Sequence, residues 1–206
     1  MFDEFLADLE QMVLEGRVED AVARCQAGLR AGVSPLQIYS EGLRKWVRRA
    51  LERIERGAHP ALAFRTYRWV RALYAVLEPH IRRIPGSPRG KVVTALLPSI
   101  QRDFSYAELY LQLIDRGANV YDLGEVWETD ALKSDALADA DVMIFWSEGY
   151  CPGLYELVKK AVSSVRGTTV FLGGRLPRTL AEEMRLRYFA KVSEAVEEVL
   201  RRVASR

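Results

Sequence analysis

Chemistry in this sequence would have to come from few side chains. His59 and His80 are the two imidazoles, and Cys25 and Cys151 the two thiols. Cys151 stands in "YCPG", in the loop after an apolar run and close to the next predicted helix start, where a thiolate is favoured. A ligand or attachment role and a plain cysteine both remain open for it. His59 falls in a turn before a long predicted helix, and His80 follows Glu78 and Pro79 near the end of that helix; surface or capping roles are the commoner use of such residues. Aromatic residues are a second resource. Phe104, Trp127, Trp146, Tyr150 and Tyr155 lie on or near one predicted edge of a sheet, where they would either stack on a planar ligand or fill space. Arg65, Arg68 and Arg71 recur at helical spacing and "RKWVRR" adds further cations, which suits a solvated face or an acidic protein partner. No Ser-His-Asp set, zinc spacing or phosphate-binding glycine loop is present, and two histidines leave little material for acid–base chemistry. The sequence does not read as an enzyme.

A length of 206 residues with 49% hydrophobic content suits one large domain or two small ones with a real core. No run approaches the roughly 18 apolar residues that read as a membrane span, and "MFDEFLADLE" is too acidic for a leader, so a cytoplasmic protein is expected. The cysteines lack metal-type spacing and read as free thiols of a reducing compartment. A net charge of +2 gives no global pull toward nucleic acid. The sequence is silent on oligomeric state.

Two textures divide the chain. Residues 1–84 carry only helical periodicity, in segments from about Asp3 to Glu15, Val18 to Ala31, Ser34 to Gly57 and Pro60 to Arg83. Ser34, Pro35 and Gln37 mark the third start strongly, as cap, first helical residue and capping partner. Short connections imply a four-helix bundle. "PGSPRG" at 85–90 cannot continue a helix and is expected to be a linker. In 91–206 the runs "KVVTALL", "NVYDLG", "DVMIFW" and "TTVFLGG" alternate with predicted helices near 105–116, 129–139, 153–165, 179–185 and 192–204, with a last short strand at Tyr188 to Ala190. Runs apolar at nearly every position predict central parallel strands, hence a doubly wound, Rossmann-like or flavodoxin-like domain and an overall α+α/β class.

The order of parts resembles the cobalamin-binding corrinoid proteins of methyltransferase systems and the corresponding regions of methionine synthase and of light-sensing repressors. "EGRVEDAVARCQAGLRAGVSPLQIYSEGLRK" is similar to the opening of the family's cap bundle, and "ERIERGAHPAL" to its turn between third and fourth helices. "GKVV" from Gly90, "DLG" at Asp122–Gly124, "ADV" at Ala140–Val142 and "FLGG" ending at Gly174 fall where the family has its strand ends.

In cobalamin-binding members the loop after the first strand carries Asp-x-His-x-x-Gly, whose imidazole becomes the lower cobalt ligand while the displaced nucleotide tail lies beside the sheet. Aligned without a gap, those positions are Ile100, Arg102 and Ser105, and none matches. Guanidinium has no lone pair to give a metal, so ligation of cobalt by a histidine of this loop is excluded. Ser105 and Glu108 have capping-box spacing, with Phe104 and Leu109 placed as a hydrophobic staple, so the loop is expected to be a firmly stopped helix start. Ser147 is the nearest match to the family's hydroxyl that bonds the tail, one gap being needed, and Gly173 and Gly174 match its paired glycines, which let backbone approach the tail; an ordinary strand-to-loop turn explains them equally. Where light-sensing relatives place a Trp and a Glu-His pair, this chain has Ile54, Phe64 and Arg65.

The resemblance implies a divergent, non-catalytic sensor or accessory module that binds cobalamin, base-on or without a protein imidazole, or another tetrapyrrole, between bundle and sheet. The residues nominated for cofactor binding are Arg102, Ser105, Ser147, Gly173 and Gly174 from the resemblance and His59, Phe104, Trp146, Tyr150 and Cys151 as residues able to build a pocket, with no catalytic residue and no metal ligand. Cys151 could attach or ligate the tetrapyrrole. A cofactor-free scaffold, and a methyl carrier serving a partner methyltransferase, are the alternatives. A methyltransferase or a regulator is the expected partner, with neither nucleic acid nor membrane evident.

Overall fold

Apolar residues at helical spacing account for the elements of the first half of the chain. In α1 (Phe2–Leu14) Phe5, Leu9 and Val13 recur every four residues and are buried. The buried positions of α2 (Val18–Arg30) are small: Ala21, Cys25 and Gly28. Phe5 lies directly on Gly28, where a Cβ would come within 2.5 Å of the ring. Burial pushes the Cys25 thiol up to about 11, which leaves it unreactive at neutral pH. As expected, Ser34 starts the next helix, its Oγ accepting the Gln37 N–H at 3.4 Å with Pro35 in the first turn. That helix is not uniform. α3 (Pro35–Gln37) passes into a π-helical stretch, Ile38–Leu43, before α4 (Arg44–Glu55). α5 (Ala61–Ile81) buries Tyr67, Val70, Leu73, Tyr74 and Leu77 and carries Pro79 within its last turn. Trp46 and Trp69 meet edge to face at 5.9 Å, and Tyr39 and Tyr74 meet tilted at 5.6 Å.

The second half folds around five strands, β1 (Lys91–Leu97), β2 (Asn119–Glu125), β3 (Val142–Ser147), β4 (Thr169–Gly174) and β5 (Arg187–Phe189). All neighbours are parallel, in the order β2-β1-β3-β4-β5. β1 and β3 are buried at every position, as continuous apolar runs covered on both faces must be. The helices are α6 (Ser105–Asp115), α7 (Leu154–Ser164), α8 (Arg178–Glu183) and α9 (Val192–Ala204). On one face Val93, Leu97, Met143, Phe145 and Leu172 join Leu154 and Val158 of α7 and Leu180 of α8 in one cluster. α6 and α9 pack against each other. This is a doubly wound sheet of flavodoxin-like order, whose winding reverses between β1 and β3.

The computed structural model describes residues 2–81, 90–128, 132, 137, 139–150, 153–165 and 167–204. The chain divides into two units, Met1–Pro88 and Arg89–Arg206. The predicted linker, apart from Gly90, and most of the predicted helix at 129–139 lie outside the described residues. β5 begins one residue before its predicted start. Among the described residues no helix is long and apolar enough to cross a membrane.

Candidate functional site at the carboxyl edge of the sheet

In a sheet of this order a ligand crevice opens outside the carboxyl ends of β1 and β3, so the loops leaving those strands are the place to look. Seven of the nominated residues gather there: Arg102, Phe104 and Ser105 between β1 and α6, Trp146 and Ser147 at the end of β3, and Gly173 and Gly174 at the end of β4. Their polar groups are committed to one another. Ser105 is not the cap of α6: the helix starts on it, and Phe104 takes the cap position with a left-handed φ of 64°. The expected capping box is therefore corrected. Asp103 accepts the Ser105 N–H at 3.0 Å and its hydroxyl at 2.6 Å. Glu148, from the end of β3, accepts the Tyr106 N–H at 3.0 Å. Two carboxylates thus satisfy the first amide groups of the helix and lie at the positive end of its dipole. The sequence pattern failed because an acceptor distant in the chain took the donor that a local side chain usually takes.

Cations close the arrangement. Arg175 Nε pairs with Asp103 Oδ2 at 2.8 Å, and Arg102 lies 2.7 Å from Glu125 Oε1 and 3.7 Å from Glu148 Oε2. The Arg102–Glu125 contact is close but not aligned as a hydrogen bond, so Glu125 Oε1 is ion-paired without a donor pointing at it. Beneath this layer Tyr106 reaches across to β1 and β2: its hydroxyl lies 3.0 Å from Thr94 Oγ1 and donates to Asp122, which also accepts the Gly124 N–H at 2.7 Å. Asp103, Tyr106, Glu125, Glu148 and Arg175 were not singled out from sequence. Glu148 had the one usable signal, a carboxylate ending the apolar run "VMIFWS".

Trp146 decides what the site can hold. It is 1% exposed, its Nε1–H donates to Ser105 Oγ at 2.8 Å, and its six-membered ring lies on Gly173, where a Cβ would come within 2.4 Å of it. Gly174, at φ +86°, passes so close to the end of β3 that a Cβ would lie 2.1 Å from the Ser147 carbonyl oxygen. The glycines therefore admit an indole and a backbone of this chain. Ser147 is buried, its hydroxyl donating to the Gly149 carbonyl at 2.6 Å. A cobalamin held by a protein imidazole, with its nucleotide tail beside the sheet, does not fit these residues: the ligand position bears a guanidinium and the glycine approach is taken.

Of the other nominated residues, Tyr150 shares this edge and His59 does not. His59 is exposed in the first unit, where its Nδ1 accepts the Ala61 N–H at 3.1 Å and so caps α5. Cys151 lies outside the described residues. Tyr150 belongs to the loop after β3 and is 70% exposed, in company with Ile100 after β1 and Trp127 after β2, at 78% and 64%. The Ile100 N–H donates to the Tyr150 carbonyl at 3.4 Å, tying two of these loops together. Tyr155, in the first turn of α7, donates its hydroxyl to Glu183. Among the described residues no three His, Cys, Asp or Glu side chains are grouped to hold a metal ion. The edge thus presents a layer of ion-paired and hydrogen-bonded polar groups, with Ile100, Trp127 and Tyr150 exposed on the loops around it.

Glu148 gives this layer a pH signature. Burial raises its carboxyl above the ordinary glutamate value and Asp103 adds to this, while the Tyr106 N–H and Arg102 oppose. A carboxyl raised by folding holds its proton more tightly in the native state, so stability falls as pH rises from about 4.3 through the folded value. Glu148→Gln keeps an acceptor for Tyr106 and removes the titration. Urea unfolding between about pH 4.5 and 7.5 should show the variant gaining on wild type as pH rises. The opposite trend would make the ionised carboxylate a net stabiliser.

No family model matches the sequence, and no curated protein does. Among solved structures the chain is similar to one from the methanol:cobalamin methyltransferase complex MtaBC of Methanosarcina barkeri, at 15% identity and a TM-score of 0.64, covering 99% of this chain and 81% of that one. A cobalamin-binding protein from Desulfitobacterium hafniense matches at 14% identity and a TM-score of 0.49, covering 96% and 98% of the two chains. The monomethylamine corrinoid protein of Methanosarcina barkeri matches at 17% and 0.45, covering 98% and 99%. The chain has the corrinoid-protein fold, a helical bundle followed by a Rossmann-like domain of five parallel strands.

Proposed function

We propose that this chain is a non-catalytic binding module of the corrinoid fold, a sensor or accessory protein that takes a flat tetrapyrrole on the carboxyl edge of its sheet. Cobalamin is the first candidate, in the base-on form that keeps its own nucleotide on the metal and needs neither a protein imidazole nor a groove for the tail. The observation that carries this reading is the exposure of Ile100, Trp127 and Tyr150 on three adjacent loops at the point where the winding reverses. Large apolar side chains, two of them aromatic, exposed on loops of neighbouring strands are costly to leave in water and suit contact with a large planar face. A methyltransferase or a regulator would be the protein served.

The test is titration of the full chain with hydroxocobalamin, followed by gel filtration and absorption spectroscopy. The expected result is a red protein with base-on corrin bands, and at least about fivefold weaker retention in the double variant Trp127→Ala/Tyr150→Ala, since stacking contributes about 0.5–1.5 kcal/mol per ring. Protein that elutes colourless sinks cobalamin binding, and the same run with haem and biliverdin extends the result to other tetrapyrroles. A second reading, a cofactor-free scaffold, is supported by Trp146 on Gly173 and by the paired charges at the strand ends. It predicts no retention of any tetrapyrrole. Methyl transfer to the loaded protein by an added methyltransferase would instead favour a carrier.

A further inference from the structure

The helical unit carries its own concentration of cations. Residues 44–71 contain nine Lys or Arg against two Glu, in a chain whose whole net charge is only +2, so the rest of the protein is net negative. Three of these cations, Arg49, Arg53 and Arg65, line a groove between α1, α4 and α5 that is floored by Trp46 and Trp69 and edged by Leu14. Leu14 is 61% exposed at its rim. The groove's cavity is about 80 Å³, room for a side-chain anchor and far too little for a cofactor. Glu10 pairs with Arg49 at 2.7 Å, whereas Arg53 and Arg65 make no ion pair among the described residues. Apolar floor and cationic rim together match a helix that offers one aliphatic or aromatic residue flanked by carboxylates.

We propose that this groove docks an acidic amphipathic helix of a partner protein. Protein is favoured over nucleic acid because both tryptophans are over nine-tenths buried and packed edge to face, which leaves no open ring for a base to stack on. Rim arginines facing carboxylates speed encounter and set orientation, and the apolar slot fixes the register.

The test is fluorescence anisotropy of the full chain with a fluorescein-labelled peptide of about 18 residues, Leu at helical spacing and Glu elsewhere, at low salt. Binding is expected, and Arg53→Glu/Arg65→Glu should weaken it at least about tenfold, with helix content by circular dichroism confirming that the variant folds. Leu14→Ser, which leaves every charge in place, should weaken it about threefold or more. A peptide with Lys in place of Glu should not bind. Absence of binding by the acidic peptide, undiminished binding by the charge-reversed variant, or tighter binding of a single-stranded oligonucleotide would each overturn the proposal.

Discussion

Trp146→Ala should be among the most damaging single truncations, lowering the unfolding free energy by about 3–5 kcal/mol. The side chain is 1% exposed, its ring is backed by Gly173, and its Nε1–H satisfies Ser105. Removing it leaves a void whose far wall is backbone of β4 and cannot collapse inward. Against a typical total of about 5–15 kcal/mol the loss is large, and it would appear as a lower urea midpoint at an unchanged slope. A loss below about 1 kcal/mol would mean that Trp146 is not the filler of this space. Conversely, a variant that remains folded would have room beside Gly173 that the native protein lacks.

Gly174→Ala should be comparably severe for a different reason. The added methyl would stand 2.1 Å from the Ser147 carbonyl oxygen, a backbone atom of the neighbouring strand, at a φ of +86°. The left-handed backbone alone costs about 1–2 kcal/mol for a residue with a Cβ, and relieving the clash requires β3 and β4 to part at their ends. That movement would break the hydrogen bond from the Arg175 N–H to Ser147 O at 2.8 Å and disturb the one from the Tyr188 hydroxyl to Gly174 O at 2.6 Å. Gly167→Ala, at a φ of +76° with nothing near its Cβ, is the control: it carries the backbone cost without the clash. Equal thermal midpoints for the two variants would show that the close approach to β3 contributes nothing.

What could be read from sequence follows from whether the deciding contact is local. Ser34 and Pro35 announced their helix because cap, donor and first turn lie within four residues. "KVVTALL" and "DVMIFW" announced strands because burial on both faces demands apolar residues without a break. Ser105 misled for the complementary reason. Its spacing to Glu108 is that of a capping box, yet the acceptor that matters for Tyr106 is Glu148, which the fold brings from the end of another strand. The absence of a histidine where the resembled family has its lower ligand was legible at Arg102, but the ion pairs that engage this arginine were not, since Glu125 and Glu148 come from two different strand ends. For Trp146 the sequence allowed either stacking on a ligand or filling space, and only the position of Gly173 across the β3–β4 pair decides between them.

The strand order has a consequence for how the polypeptide reaches its native form. β1 sits between β2 and β3, and each partner arrives only after a crossover, so no hairpin is available to nucleate this half. In the other half, α1 packs on α2 and α4 on α5 across short connections, and such pairs can zip up from nearby contacts. Loop-closure entropy therefore makes assembly of the sheet the slow stage of maturation, and leaves the helical half free to organise while its neighbour is still searching.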